Sequence, residues 1–378
     1  MKRMPTILTG EVRQRQPTIP RGDISMAPRD PAILAELTPI EAIDRRRLLT
    51  ALPALGLIAV GVSCGSDDGD TPTRSSTVTP AGTPAGDFPV TISHAKGETT
   101  VPAKPRRVVT VGGLDAALAN ALGADVVAVP TFMKDYPWFA RPLAPDVLVL
   151  SHEEVPLEAI AALKPDLILI TTAWPIYGES YDRLAGIAPT IPHLKALLQD
   201  DPAELTRVIG RVLGETAAER LIADAQASIQ SFVDRHPGLN GKQFALIQVS
   251  GDVIYLVGLA GSLTGNFMRQ LGLNPPAEIV DTIGAANLGA GQGRISYERA
   301  NLLDTADIVF LSDPGGIDQT FRANPVIAEL DVVKAGNLVL LDQVTAAALL
   351  MPSPVNIPHI LGKLEPALTK VEGERKGS

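Results

Sequence analysis

One cysteine, Cys64, is all that this 378-residue chain holds, so no intramolecular disulfide is possible and the core must close by burial alone. Histidine is nearly as scarce: His94, His152, His193, His236 and His359. None forms an HxH or HxxxH pair, and His152-Glu153-Glu154 reads as a solvated acidic loop. A directly bound metal ion needs converging imidazole, thiolate or carboxylate ligands, and the sequence pattern offers no such set. The chain lacks a G-x-x-x-x-G-K-[ST] loop, which excludes ATP binding of that kind. The small-residue stretch 260–265 (AGSLTG) lacks the nucleophile-elbow spacing and suits a strand-to-helix turn instead. Aromatic residues make up only 4% of the chain, so each one outside an apolar run is informative.

Net charge is −9. Before Cys64 there are nine Lys/Arg and six Asp/Glu, which is +3 and leaves −12 for the remainder. An acidic body argues against nucleic acid or an anionic membrane surface as partner.

The amino terminus reads as an address. Arg45-Arg46-Arg47 leads into an apolar run of fifteen residues at 48–62, interrupted by Pro53. That is shorter than the ~20 residues a membrane-spanning helix needs. Gly61-Val62-Ser63-Cys64 follows, so the order is basic, apolar, small, as in a signal peptide. Small residues before a cysteine resemble a bacterial lipobox, which implies that Cys64 is acylated. The arginines resemble a twin-arginine export signal, although Asp44 stands where Ser or Thr is usual. Residues 1–43 are set aside from fold reasoning, with Met26 as an alternative start. These features predict an extension and signal over 1–63 and a lipid-anchored tether over 64–87, rich in Gly, Ser, Thr, Pro and Asp.

From Phe88 onward, apolar β-branched runs recur at 108–111, 126–129, 167–171, 244–249, 308–311 and 338–341. They do not alternate, so both faces of each strand should be buried, as in parallel sheets. Helical stretches such as 114–122 and 267–271 lie between them. This pattern predicts an α/β fold. An internal echo divides it into two similar lobes. Val111-Gly112 and Leu122-Gly123 are answered by Val257-Gly258 and Leu271-Gly272, at offsets of 146 and 149 residues. Pro156-Leu157-Glu158 and Asp166 are answered by Ser296-Tyr297-Glu298 and Asp307, at offsets of 140 and 141. Between the halves, apolar residues from Leu205 to Val233 recur at helical spacing with a possible break at Gly214, and Pro237-Gly238 ends the pattern. The expected architecture is two lobes with mainly parallel sheets, 88–201 and 239–370, joined by one long helix within 202–238, with a ligand cleft between them. Such a connector should limit movement between the lobes.

Several phrases in this order resemble the iron-siderophore (class III, helical-backbone) periplasmic binding proteins: FPVTISHAKGETTVPAKPRRVVTVGG, LEAIAALKPDLILI, YDRLAGIAPTIP, GSLTGNFMRQLGL, ISYERANLLDTADIVFLSD and ANPVIAELDVVKAGNLVLLD. The resemblance covers roughly residues 88–365. It implies an extracytoplasmic solute-binding lipoprotein, not an enzyme and monomeric. Its ligand would be a ferric siderophore, delivered to an ABC permease dimer driven by its ATPase. Iron would arrive already chelated, without a cofactor or a protein ligand to the metal.

In that family one surface glutamate per lobe pairs with permease arginines, a role that falls here on Glu158 and Glu298. Stabilisation of a helix dipole accounts for the same placement and is worth ~0.3–1 kcal/mol. Ligand contacts are expected from loops at the strand ends: Tyr136, Trp138, Arg141, Trp174, Tyr177, Phe267, Arg294 and Arg322. Aromatic faces supply contact area with few rotors, and arginines donate paired hydrogen bonds to chelate oxygens. For Trp138 the competing reading is an anchor on the lobe surface, and for Arg322 an ordinary solvated charge. Tyr181 sits on the inner face of its helix and reads as core. Haem or cobalamin remains an alternative cargo, with Tyr136 or Tyr177 as candidate haem ligands. A surface-anchored enzyme and a protein-binding receptor are the readings from other classes.

Overall fold

The computed structural model describes residues 88–131, 136–151, 153–173, 175–197, 199–251, 253–259, 261–283, 292–312, 316 and 318–374. The signal, Cys64, the tether, His152 and Trp174 lie outside the described residues. A hairpin enters first, β1 (Val90–His94) paired antiparallel with β2 (Gly97–Val101). Val90, Ile92 and His94 face inward, the period-two alternation of a half-buried strand. His94 Nε2 lies 2.8 Å from Thr99 Oγ1, which also lies 3.3 Å from the Tyr181 hydroxyl, so Tyr181 is packed against this hairpin.

The first lobe is built on β3 (Val108–Thr110), β4 (Val126–Pro130), β5 (Leu148–Leu150), β6 (Leu167–Ile170) and β7 (Thr190–Pro192). They lie in the order β5-β4-β3-β6-β7, and every neighbouring pair is parallel. The second lobe holds β8 (Phe244–Ser250), β9 (Val253–Val257), β10 (Gly293–Ser296), β11 (Ile308–Ser312) and β12 (Leu338–Leu341), in the order β10-β9-β8-β11-β12. Renumbered within each lobe, the two orders are identical. One strand differs in direction: β9 runs antiparallel to both β8 and β10, whereas β8, β11 and β12 are mutually parallel. The six apolar runs of the sequence fall on β3, β4, β6, β8, β11 and β12, and the four neighbouring pairs among them, β4–β3, β3–β6, β8–β11 and β11–β12, carry the core.

The expected connector is divided at Gly214, which adopts φ 66° and ends the helix Pro202–Leu213. Asp201 caps that helix through the Glu204 N–H, and Leu205, Ile209 and Val212 bury it in the first lobe. The helix Ala218–Arg235 makes the crossing. At 1.5 Å per residue its eighteen residues span about 27 Å. Ala225, Ile229 and Phe232 of this helix join a core shared by both lobes, together with Ala117, Tyr136 and Trp138 of the first lobe and Leu349, Ile357 and Leu361 of the second. Phe139 and Val355 pack against both this core and that of the first lobe. No helix among the described residues is long and apolar enough to cross a membrane.

Candidate ligand cleft

Open α/β sheets bind ligands outside the carboxyl ends of their strands. At that edge of the first lobe, β3 runs through Gly112 into the helix Gly113–Ala121. A methyl group at Gly112 would collide with Thr172 Oγ1 and Asp115 Oδ2, so glycine is required by space rather than by dihedral angle. Asp115 is fully buried here. Its Oδ2 accepts from Gly112 N–H (3.1 Å) and Thr171 N–H (2.9 Å), and its Oδ1 accepts from the Thr171 hydroxyl. Burial pushes its pKa up to about 6, opposed by these hydrogen bonds.

In the second lobe the corresponding edge carries a hairpin rather than a helix start. Gln248 on β8 pairs in register with Tyr255 on β9 and with Ser312 on β11, and Tyr255 pairs with Arg294 on β10. Residues in register share a face, so Arg294, Tyr255, Gln248 and Ser312 form one transverse row. The same face is apolar nearer the start of β8, where Phe244, Leu246, Val257 and Phe310 lie.

The opposite edges of the two sheets are anchored alike. Asp166 Oδ2 accepts from the Arg106 and Arg107 N–H groups (2.8 and 3.0 Å) just before β3. Asp307 Oδ2 accepts from Gln243 N–H (2.6 Å) just before β8. Glu158 lies in the first turn of the helix Leu157–Ala162, and Glu298 in the first turn of the 3₁₀ helix Tyr297–Thr305. Both are exposed, and neither has an ion-pair partner among the described residues.

The expected ligand residues separate into groups. Tyr136 and Trp138 are buried side by side, ring centroids 4.6 Å apart, and Trp138 lies 5.2 Å from the His359 ring of the other lobe. Burial raises the Tyr136 pKa and, together with nearby Lys363, lowers that of His359. Tyr177 is 0% exposed within the first-lobe core, where its hydroxyl donates to the Ser151 carbonyl (2.8 Å). Burial pushes its pKa up to about 12. Phe267 is buried in the core shared by the lobes. Arg141 Nη2 donates to the Asn120 and Ala124 carbonyls, and Arg322 Nη2 to the Leu338 carbonyl. Ala124 precedes β4 and Leu338 opens β12, so both guanidinium groups sit at strand starts, away from the carboxyl edges. Arg294 is exposed on β10 at the carboxyl-edge row. The row partners Tyr255, Gln248 and Ser312, and the buried Asp115, escaped the sequence reading. Asp115 had one local signal, a carboxylate three residues after a glycine that follows a strand. A shallow concavity of about 550 Å³ lined by His236, Asn240, Arg269 and Gly272 lies at the connector's far end, near the strand starts.

With two lobes of one strand order and one helical connector in view, the sequence comparison decides the family: residues 108–345 match the family described as periplasmic binding protein. The chain belongs to the periplasmic binding protein family. This is a solute-binding class. The chain is 26% identical to the ferric-anguibactin-binding protein of Vibrio anguillarum over 273 residues, 67% of this chain and 80% of that protein. It is 24% identical to the iron(3+)-hydroxamate-binding protein of Bacillus subtilis over 333 residues, 86% of this chain and 98% of that one. A crystal structure of a periplasmic solute binding protein from Mycobacterium smegmatis superposes with a TM-score of 0.64 at 27% identity, covering 75% of this chain and 99% of that one. As in any periplasmic binding protein, the carboxyl edges of the two sheets are the place to look for solute. There the second lobe of this member offers hydrogen-bond donors, and the first a carboxylate already tied to its own backbone.

Proposed function

We propose that this protein captures a ferric siderophore between its lobes and delivers it to an ABC importer. The observation that carries the reading is the match, over 86% of this chain and 98% of the relative, to a protein named for iron(3+)-hydroxamate binding. Its support in the ferric-anguibactin-binding relative extends over 67% of the chain. The iron is cargo, held by its chelator, and the protein performs no chemistry on it. Among the described residues no group of three or more His, Cys, Asp or Glu side chains is placed to hold a metal ion.

Three further elements belong to the same reading. Cys64 carries the lipid that holds the protein on the extracytoplasmic face of the membrane, with the tether to residue 87 giving it reach. Glu158 and Glu298 are the two contacts that register a monomer on the permease dimer; two charges set apart fix orientation, and complementary charge speeds docking. In the cleft, Arg294 reaches the ligand from the second lobe; the ligand role expected of Trp174 falls outside the described residues. Tyr136, Trp138, Tyr177, Phe267, Arg141 and Arg322 hold the surrounding scaffold.

Calorimetric titration of the purified protein with iron-loaded and iron-free chelators, haem and cobalamin tests the proposal. Saturable binding of a ferric chelate, at least 10-fold weaker without iron, is the expected result. Binding of haem or cobalamin alone would move the cargo to another class, and no binding across the panel would refute the siderophore reading.

A further inference from the structure

The carboxyl edge of the second lobe carries a feature that packing does not account for. Along the face that begins with Phe244, Leu246, Val257 and Phe310, the next row is Arg294, Tyr255, Gln248 and Ser312. An apolar sheet face gives way to polar side chains across four adjacent strands. Among the described residues, four buried side-chain polar atoms lack a hydrogen-bond partner, and two of them, Gln248 Nε2 and Ser312 Oγ, belong to this row. Ser312 is 1% exposed. Buried polar atoms are nearly always paired, and leaving one unpaired destabilises a fold. Two on one row at a ligand edge point to a partner from outside the chain.

The chemistry of the row describes that partner. A guanidinium only donates, and an amide nitrogen only donates. Hydroxyls of serine and tyrosine donate as readily as they accept. The matching surface is a set of acceptor oxygens. Charge narrows it further. Arg294 is the single charged member of the row, and across the cleft edge the described first-lobe residues add acid: Glu153 and Glu154 are exposed just past β5. Arg141, the cation expected there, is bonded to carbonyls at the other edge of its sheet. Among these described residues, a polyanion would meet the one cation Arg294 against the carboxylates, and juxtaposed like charges are costly. Ferric iron in three singly charged hydroxamates is neutral and presents carbonyl and N–O oxygens; in three doubly charged catecholates it is a trianion.

We infer that Arg294, Tyr255, Gln248 and Ser312 form a donor platform that reads the oxygen face of a neutral ferric trihydroxamate and selects it over polyanionic chelates. This rests on the siderophore reading above.

Calorimetry and thermal melts of the full chain test it, using a ferric trihydroxamate and a ferric triscatecholate as probes. The wild-type protein should bind the hydroxamate at least 100-fold more tightly. The Gln248→Leu/Ser312→Ala double variant should weaken hydroxamate binding 10-fold or more, while its melting temperature stays level or rises because no partner within the fold is lost. Unchanged hydroxamate affinity in the double variant, a melting temperature lowered by several degrees, or tighter catecholate binding by the wild type would each overturn the platform while leaving siderophore capture standing. Failure of both chelates to bind would bring down the siderophore reading and the platform with it.

Discussion

The two lobes agree where their strands begin and differ where their strands end. At the starting edge each central strand is pinned by an aspartate from the segment that leads into its neighbour, Asp166 for β3 and Asp307 for β8. Each lobe also has a helix that ends in Leu-Gly, with Gly123 at φ 89° and Gly272 at φ 90°. After that glycine the first lobe enters β4, in register with Val108 at Val126. The second makes a single parallel bridge, Asn274 to Gln243, because β9 already fills the neighbouring place in the sheet. The divergence begins at the carboxyl edge. β3 passes straight into a helix whose first turn buries Asp115 in hydrogen bonds. β8 turns back on itself through Gly251 at φ 54°, and the hairpin brings Tyr255 beside Gln248. A common plan at the base thus supports two different ligand edges, one electrically closed and one lined with donors.

The most severe test of the likeness between the lobes concerns Glu158 and Glu298, which occupy matching first turns in helices of different type. If both register the permease, Glu158→Arg and Glu298→Arg together should abolish uptake, and each alone should reduce it at least 10-fold, with ligand affinity unchanged in all three. Uptake assays beside calorimetry measure this. Normal uptake in the double variant would reduce both residues to helix-dipole partners, worth ~0.3–1 kcal/mol each.

A smaller effect separates two glycines that the sequence sets in parallel. Gly112 has φ −82°, open to any residue, but its missing Cβ makes room for Thr172 and Asp115. Gly258 has φ 78°, and an added Cβ would meet the Thr264 methyl at 2.9 Å. Gly112→Ala overpacks a buried turn and should cost about 3 kcal/mol in urea unfolding. Gly258→Ala forces a left-handed alanine and should cost about 1–2 kcal/mol. The reverse order would show that the first-lobe turn has room to adjust.

How far the sequence discloses all this depends on how local each signal is. Central strands, buried on both faces, show as unbroken Val/Ile/Leu runs and were legible to within a residue or two. The edge strands β5, β7 and β10 and the antiparallel β9 are three to five residues long and escaped, and Val149 of β5 is 39% exposed. The entry hairpin β1–β2 escaped too, although its alternation and Gly97 were visible. Glu158 and Glu298 were legible because a first helical turn is local. The donor row was not: its members lie between positions 248 and 312 and meet only through the register of four strands. Arg141 and Arg322 were placed by sequence near the strand ends, but their long side chains are held by carbonyls at the strand starts. A side chain's reach is a tertiary property that position along the chain does not convey.

The smallest predicted effect concerns how each lobe holds the connector. The first lobe grips it by apolar packing: Leu213 and Ala218 are buried together, and Ala218 Cβ lies so near Gly210 that a side chain there would meet it at 2.7 Å. The second lobe grips it by charge. His236 ends the helix with Nδ1 2.8 Å from Glu372 Oε2 and Nε2 3.0 Å from Glu365 Oε1, and Arg235 reaches Glu365 at 2.9 Å. Both ring nitrogens face carboxylates, so the clasp is complete only when the ring is protonated. Burial pulls the His236 pKa down, but the two carboxylates outweigh it and the net shift is upward. A folded-state pKa raised above 6.5 means that this stabilisation is fully present below 6.5 and is lost as pH rises through the folded value. Asp115 is also raised, to about 6, so its contribution falls away in a lower window, between its unfolded value of 3.8 and about 6. Asp115 and the other histidines titrate alike in wild type and His236→Gln, so comparing the two proteins in urea unfolding at pH 6.5 and pH 8.5 isolates His236. The wild-type protein should lose about 1 kcal/mol more than His236→Gln across that interval, and less at high salt, since Glu365 is partly exposed. Equal losses in the two proteins would mean that His236 stays neutral across that interval, and that the Arg235–Glu365 pair and apolar packing hold the connector to the second lobe without it.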